Sequence, residues 1–182
     1  MRPRPPLSLE IAAARGVAAL SRRLGAGGGT TIPGKLLAEL DRGAIDRLAA
    51  RLATGTAVVS ATNGKTTTTA MAAEILRPRH RLAHNAAGAN LVSGVASALL
   101  TAGDADLGLF EVDEAALPEV VRRLQPKAVC LGNLFRDQLD RYGELELVAE
   151  RWREAVATLP ILVLYVFFQR YWVEGIVTTG LK

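Results

Sequence analysis

The chemistry-bearing residues are most densely spaced over 57–69, Ala57-Val58-Val59-Ser60-Ala61-Thr62-Asn63-Gly64-Lys65-Thr66-Thr67-Thr68-Thr69. A short apolar run breaks into small residues and restarts in a helical pattern at Gly64-Lys65-Thr66. That layout suits a phosphate cradle. Backbone N–H groups of a tight loop and of a helix's first turn converge on an anion, and the helix dipole adds about half a positive charge. Thr62, Asn63, Gly64, Lys65, Thr66 and Thr67 are therefore the candidate phosphate contacts. Lys65 is expected to reach the terminal phosphates of a nucleotide and the Thr66 hydroxyl to hold Mg²⁺. The general Walker spacing asks for Gly five residues before the Gly-Lys pair, where this chain has Val59. Only the shorter form of the loop is present. A Gly-Lys-Thr turn that binds nothing is the plain alternative, and the strand before it and helix after it argue against that.

Two more polar clusters close apolar runs. Glu111-Val112-Asp113-Glu114 ends the run at 105–112. Mg²⁺ takes hard oxygen ligands in an octahedron, and a carboxylate facing the loop supplies one, so Glu111 is the expected metal ligand. Capping the next helix, where negative charge is favourable, is the competing role and the preferred one for Glu114. The second cluster, over 133–144, follows the apolar run at 127–134 and contributes Asn133, Asp137, Gln138 and Asp140. As a bare pattern it also fits a charged turn. Asn85, Asn90 and Asp113, in segments that follow apolar runs, complete the candidates.

The elements that must position these residues alternate. Periodicity predicts a helix over 7–24 ending at Gly25, and a glycine-rich linker or short strand connection over 27–34. A helical stretch over 35–52 is broken at Gly43, with Leu36, Leu37, Leu40, Ile45 and Leu48 inward. The helix after the loop should run to Leu76 and stop before Pro78. A strand end and loop over 82–91, a helix over 92–100 and a buried strand over 105–112 follow. Next come a helix over 115–124 with Pro118 in its first turn, a strand over 127–134, and a helix over 145–158 with Leu147, Val148, Trp152 and Val156 on one side. Strand and helix alternate from Ala57 onward, which predicts an α/β fold. Its sheet should be mostly parallel, flanked by helices, with ligands at the carboxyl ends of the strands.

With 182 residues, the chain has room for one well-buried domain and a small appendage. The net charge of +4 invites a polyanion partner, but much of the excess sits at Arg2, Arg4, Arg15, Arg22 and Arg23 with no aromatic residues interleaved. That favours a solvated basic face or anionic lipid headgroups over nucleic acid. The single cysteine, Cys130, excludes an intrachain disulfide and a cysteine-cluster zinc site; its apolar neighbours predict burial. No signal-peptide apolar region follows the basic, proline-rich start, so a cytoplasmic protein is expected.

Thr-Asn-Gly-Lys-Thr-Thr at 62–67 resembles the phosphate loop of the Mur ligase superfamily, ATP-dependent amide-bond ligases, although the residue before Thr62 is usually Gly there and is Ala61 here. Glu-Val-Asp-Glu resembles that family's Mg²⁺-binding strand end, and Asn-Leu-x-Arg-Asp-x-Leu-Asp-Arg-x-Gly from Asn133 resembles the motif continuing its ATP and Mg²⁺ site. Most members carry a metal-binding His where this chain has Gln138. Gln138, the acidic run, the Gly-Ala-Asn-Leu loop at 88–91 and Arg-Arg-Leu-Gly-x-Gly-Gly-Gly-Thr at 22–30 together resemble the MurT branch, synthetase subunits of lipid II isoglutaminyl synthase. The resemblance implies a Mur-ligase-type ATP-binding domain with ATP and Mg²⁺ as cofactors, and with Thr66, Glu111 and Gln138 at the metal. It implies a lipid II substrate met at the inner face of the membrane, its D-glutamate α-carboxyl activated as an acyl phosphate for amidation, and a GatD-like glutaminase partner.

Composition shifts after Thr158, beyond which five of the nine aromatic residues lie. Residues 1–52 are accordingly expected to pack on the core, 53–158 to form an incomplete ATP-binding domain, and 159–182 to be a divergent apolar tail. The run at 159–168 is too short for a membrane span. The family's zinc ribbon and C-terminal domain do not follow, and an out-of-frame or fusion-derived tail on a truncated ligase is the preferred account. Such a chain should bind nucleotide yet be inactive alone. A non-catalytic nucleotide-binding or interaction fragment and a folylpolyglutamate-synthase-like ligase are the alternatives.

Overall fold

The computed structural model describes residues 31–41, 43–85, 88–134 and 145–157, together with the helical residues Ala12 and Gly16. The predicted helix over 7–24, save those two residues, and the tail over 159–182 lie outside the described residues. Two short helices, α1 (Ile32–Leu40) and α2 (Ala44–Ala49), come first. Then β1 (Gly55–Ser60), α3 (Lys65–Leu76), β2 (Leu82–His84), α4 (Val92–Thr101), β3 (Leu107–Glu111), α5 (Leu117–Leu124), β4 (Ala128–Leu131) and α6 (Leu145–Ala157) alternate.

The four strands form one sheet in the order β2-β3-β1-β4, and all three pairings are parallel. Parallel neighbours need a crossover, and helices α3, α4 and α5 provide it. The chain leaves β1 toward β2 on one side of the sheet and passes from β3 to β4 on the other. A crevice at the carboxyl end of β1 follows from that reversal.

Side chains alternate across the sheet with period two. Val58, Ala83, Phe110 and Val129 face one apolar cluster shared with Leu37, Ile45, Leu48, Leu100, Val120, Val148 and Trp152 of α1, α2, α4, α5 and α6. Val59 and Leu109 face the other side, where Ala73 of α3 covers them. β3 is buried along its whole length, as a central parallel strand requires. Helix α1 lies close on α4 because Gly34 has no side chain: a Cβ there would come within 1.9 Å of the Ser93 carbonyl oxygen. The Gly34 N–H donates to Ser97 Oγ at 2.9 Å across the same contact.

Several expectations need correcting. Residues 32–34 are not linker; they open α1, with Pro33 in the first turn, where its missing N–H leaves no bond unmade. Leu40 and Leu147 point outward, 55% and 46% exposed, and Leu36 is only half-buried. Cys130 is exposed rather than in the core, because on β4 it alternates with inward-facing Val129.

Candidate phosphate-binding site

The loop between β1 and α3 sits at the carboxyl end of β1, an interior strand flanked by β3 and β4. Gly64 makes the turn into α3 with φ +82°, a left-handed conformation that L side chains rarely adopt. No side chain caps α3. Its first helical bond runs from Thr68 N–H to Gly64 O at 2.9 Å, so the N–H groups of Lys65, Thr66 and Thr67 begin the helix without protein acceptors among the described residues. Thr66 and Thr67 are exposed at this end. Thr69 is fully buried and bonds back to the Lys65 carbonyl at 2.7 Å.

Neighbouring segments set the loop's shape. Thr62 N–H donates to the Asn133 carbonyl at 2.7 Å, and Asn63 N–H donates to Asn133 Oδ1 at 3.0 Å. Asn133 therefore braces the loop from the end of β4. Ala61, where the family usually has Gly, does not have a positive φ. It is buried, and Gly132 opposite makes the room: a Cβ on Gly132 would fall 2.7 Å from that of Ala61.

Lys65 folds back over the loop. Its ammonium donates to the carbonyls of Ala61 and, at 3.1 Å, Thr62, and to Glu114 Oε2 at 3.0 Å. Glu114 is buried and Lys65 largely so, their side chains 4% and 10% exposed. Glu114 is thus the site residue that sequence reasoning assigned elsewhere, as a helix cap. The acidic run held the signal, but the partner lies 49 residues away. No side chain caps α5; Asp113 Oδ1 accepts from Ala115 N–H at 3.1 Å in the turn that precedes the helix.

Glu111 is 4% exposed on the α3 side of the sheet, in register with Val59. No side chain among the described residues donates to its carboxylate. A buried carboxylate with no side-chain donor among the described residues, at the same end of the sheet as the exposed Thr66, has the hard-oxygen chemistry that suits Mg²⁺ completed by water and phosphate oxygens. No group of three or more His, Cys, Asp or Glu side chains gathers to hold a metal among the described residues. Asn85 is placed differently from the other candidates. Its amide donates to the carbonyls of Ala89 and Glu111, at 2.8 and 2.7 Å, and accepts from Glu111 N–H at 2.9 Å. It ties the end of β2 to the end of β3 and has no donor left for a ligand. Asn90 contributes its carbonyl to Asp113 N–H at 2.8 Å. Asp137, Gln138 and Asp140 lie outside the described residues.

A family model described as the Mur ligase middle domain matches residues 59–167. The chain belongs to the Mur ligase family. The match continues past Thr158 into the apolar run, so the family pattern does not stop at the change in composition. The Mur ligase relatives include the MurT subunit of lipid II isoglutaminyl synthase (glutamine-hydrolyzing) from Streptococcus pneumoniae. It is 35% identical over 139 residues, which are 74% of this chain and 31% of that protein. The corresponding subunit of Staphylococcus aureus N315 is 30% identical over 139 residues, 75% of this chain and 32% of its own. The chain is MurT-like, and it spans about a third of the length of these relatives. A crystal structure of MurF from Acinetobacter baumannii shares the fold, with a TM-score of 0.57 at 18% identity over 68% of this chain and 28% of that one. Among the described residues, no helix is long and apolar enough to cross a membrane.

Proposed function

We propose that this Mur ligase chain carries the ATP-binding part of a MurT-like amidoligase of peptidoglycan synthesis. The observation that carries the reading is the uncapped start of α3 at the carboxyl end of β1, where the N–H groups of Lys65, Thr66 and Thr67 have no acceptor among the described residues and Thr66 and Thr67 are exposed. That is an anion site by its dipole and donors alone. Glu111 and Thr66 hold Mg²⁺ beside it, with Gln138 as a further oxygen ligand, and Asn133 keeps the loop in shape.

The substrate is the D-glutamate α-carboxyl of lipid II. ATP supplies the γ-phosphoryl group that turns this carboxylate into an acyl phosphate, which ammonia then converts to the amide with loss of phosphate. A carboxylate and a triphosphate repel, and the positive charge of Lys65 and of the metal is what allows them to meet. The ammonia comes from a GatD-like glutaminase partner. The reaction belongs in the cytoplasm, at the inner face of the membrane, where the lipid-linked substrate lies.

Isothermal calorimetry of the folded chain with Mg·ATP tests the core of this reading. Saturable binding in the wild type, lost in Lys65→Ala and weakened by EDTA or Glu111→Gln, is the expected result. No heat of binding in a sample whose circular dichroism shows a folded α/β protein overturns it.

A further inference from the structure

The Lys65 ammonium has three hydrogens, and three protein oxygens take them: the carbonyls of Ala61 and Thr62 and Glu114 Oε2. The ammonium is therefore saturated. A phosphate oxygen can reach it only by displacing one of the three. The two carbonyls belong to the loop backbone, which Asn133 braces, and they move only with it. The Glu114 carboxylate is on a side chain and can turn away. It is also the one partner with a negative charge, and two anions sharing one buried ammonium repel strongly where the dielectric is low.

We propose that Glu114 is a positioning residue acting through Lys65, its carboxylate standing in the nucleotide-free loop where a terminal phosphate oxygen of the nucleotide later binds. This rests on the nucleotide reading above and adds to it a control on which nucleotides bind well. While the carboxylate is in place, Lys65 keeps a single orientation and the ion pair stays dry, with side chains only 10% and 4% exposed. A ligand whose phosphates reach Lys65 removes the carboxylate; one that is too short leaves it. Glu114 thereby makes affinity depend on the length of the phosphate chain. The exchange is felt beyond the loop, because the Trp152 indole N–H donates to the Glu114 carbonyl at 2.8 Å in the core.

The test is a calorimetric titration of the full chain with ATP, ADP and AMP in Mg²⁺, comparing wild type with Glu114→Gln, which keeps the shape and removes the charge. The variant is expected to bind ATP roughly tenfold more tightly, the scale of close charge pairs, with AMP affinity unchanged. Wild-type binding with equal or weaker ATP affinity in Glu114→Gln overturns the proposal and leaves the nucleotide reading standing. Absence of binding in both overturns both. A second measurement leaves Glu114 intact: in Trp172→Phe, Trp152 is the sole indole. Its emission should shift on saturation with Mg·ATP and stay constant with AMP. An emission unchanged by ATP, at concentrations where calorimetry shows the site full, counts against the exchange.

Discussion

Ala61 and Gly132 show how closely the phosphate loop is fitted to its surroundings. The strand-end Gly132 N–H is held by the Ser60 carbonyl at 2.8 Å, so Gly132 cannot retreat from Ala61 without breaking a ladder bond. Gly132→Ala would place two methyl carbons 2.7 Å apart, well inside contact distance. Overpacking of this kind costs about 1–3 kcal/mol, and here the strain falls on the loop that presents the N–H groups. Gly132→Ala should lower both the urea midpoint and Mg·ATP affinity, and adding Ala61→Gly should restore most of each loss. A double-mutant cycle reads the coupling, and simple additivity of the two changes would rule the contact out as the cause. Gly64 and Lys65 were readable in the sequence as a loop at a helix start because an apolar run breaks into small residues and restarts in a helical pattern there. Glu114 and Asn85 were not: a carboxylate just before a helix looks like a cap, and an asparagine in a loop looks like a ligand. Their partners, Lys65 and the Glu111 backbone, arrive only when the strands pair.

Strand alternation and helical spacing made nearly every element from β1 to α6 readable, because each carries its own period and its own stop, such as Pro78 after α3. What spacing alone could not place was the way elements meet. Leu40 and Leu147 fit an inward stripe, yet α1 and α6 dock through Leu37 and through Val148 and Trp152, leaving them outside. A tertiary device also locks the end of the sheet away from the site. Asp106, just before β3, accepts from Arg81 N–H at 2.6 Å and the Thr54 hydroxyl at 3.1 Å, and it pairs with His80 at 2.7 Å. Its backbone bonds Thr54 and Arg81 as well, so one residue gathers the starts of β1, β2 and β3. The bond from His80, then those from Arg81 N–H and Thr54, draw its carboxyl from 3.8 down to about 2. A folded-state value below the unfolded one stabilises the protein at pH above about 3.8, and the contribution disappears as pH falls through about 2. Asp106→Asn should therefore have a lower urea midpoint at neutral pH, and the gap from wild type should close between pH 4 and 2. Equal midpoints at pH 7 would show that the clamp adds nothing.

The apolar interior is divided unequally between the two faces of the sheet, and the division sets which part of the molecule opens first. Five helices share the large cluster on one face, whereas the other face has Val59, Leu109 and Ala73 at its centre. Helix α4 buries Gly94, Val95, Ala96, Ser97, Ala98, Leu99 and Leu100; α3, a longer helix, buries Thr69 and Ala73. Met71 and Ile75 on α3 are 63% and 70% exposed. Hydrophobic burial is the main favourable term holding a helix to a sheet, so α3 is attached by much less of it than α4. Regions with few buried apolar contacts open at free energies below that of global unfolding. The helix carrying Lys65 and Thr66 is thus held by less buried apolar surface than α4, and a ligand on its first turn has more to stabilise. Amides over 70–76 should exchange with deuterium through sub-global opening, faster than those over 95–100. Saturating Mg·ATP should slow exchange over 65–76 and leave 95–100 little changed, because a ligand that binds only the closed form adds RT ln(1 + [L]/Kd) to the opening free energy, about 2.7 kcal/mol at a hundredfold excess over Kd. Equal protection of α3 and α4 in the free protein would mean that the small cluster holds α3 as firmly as the large one holds α4. The Glu114 exchange adds a further expectation: the protection of α3 should follow the number of phosphates in the nucleotide.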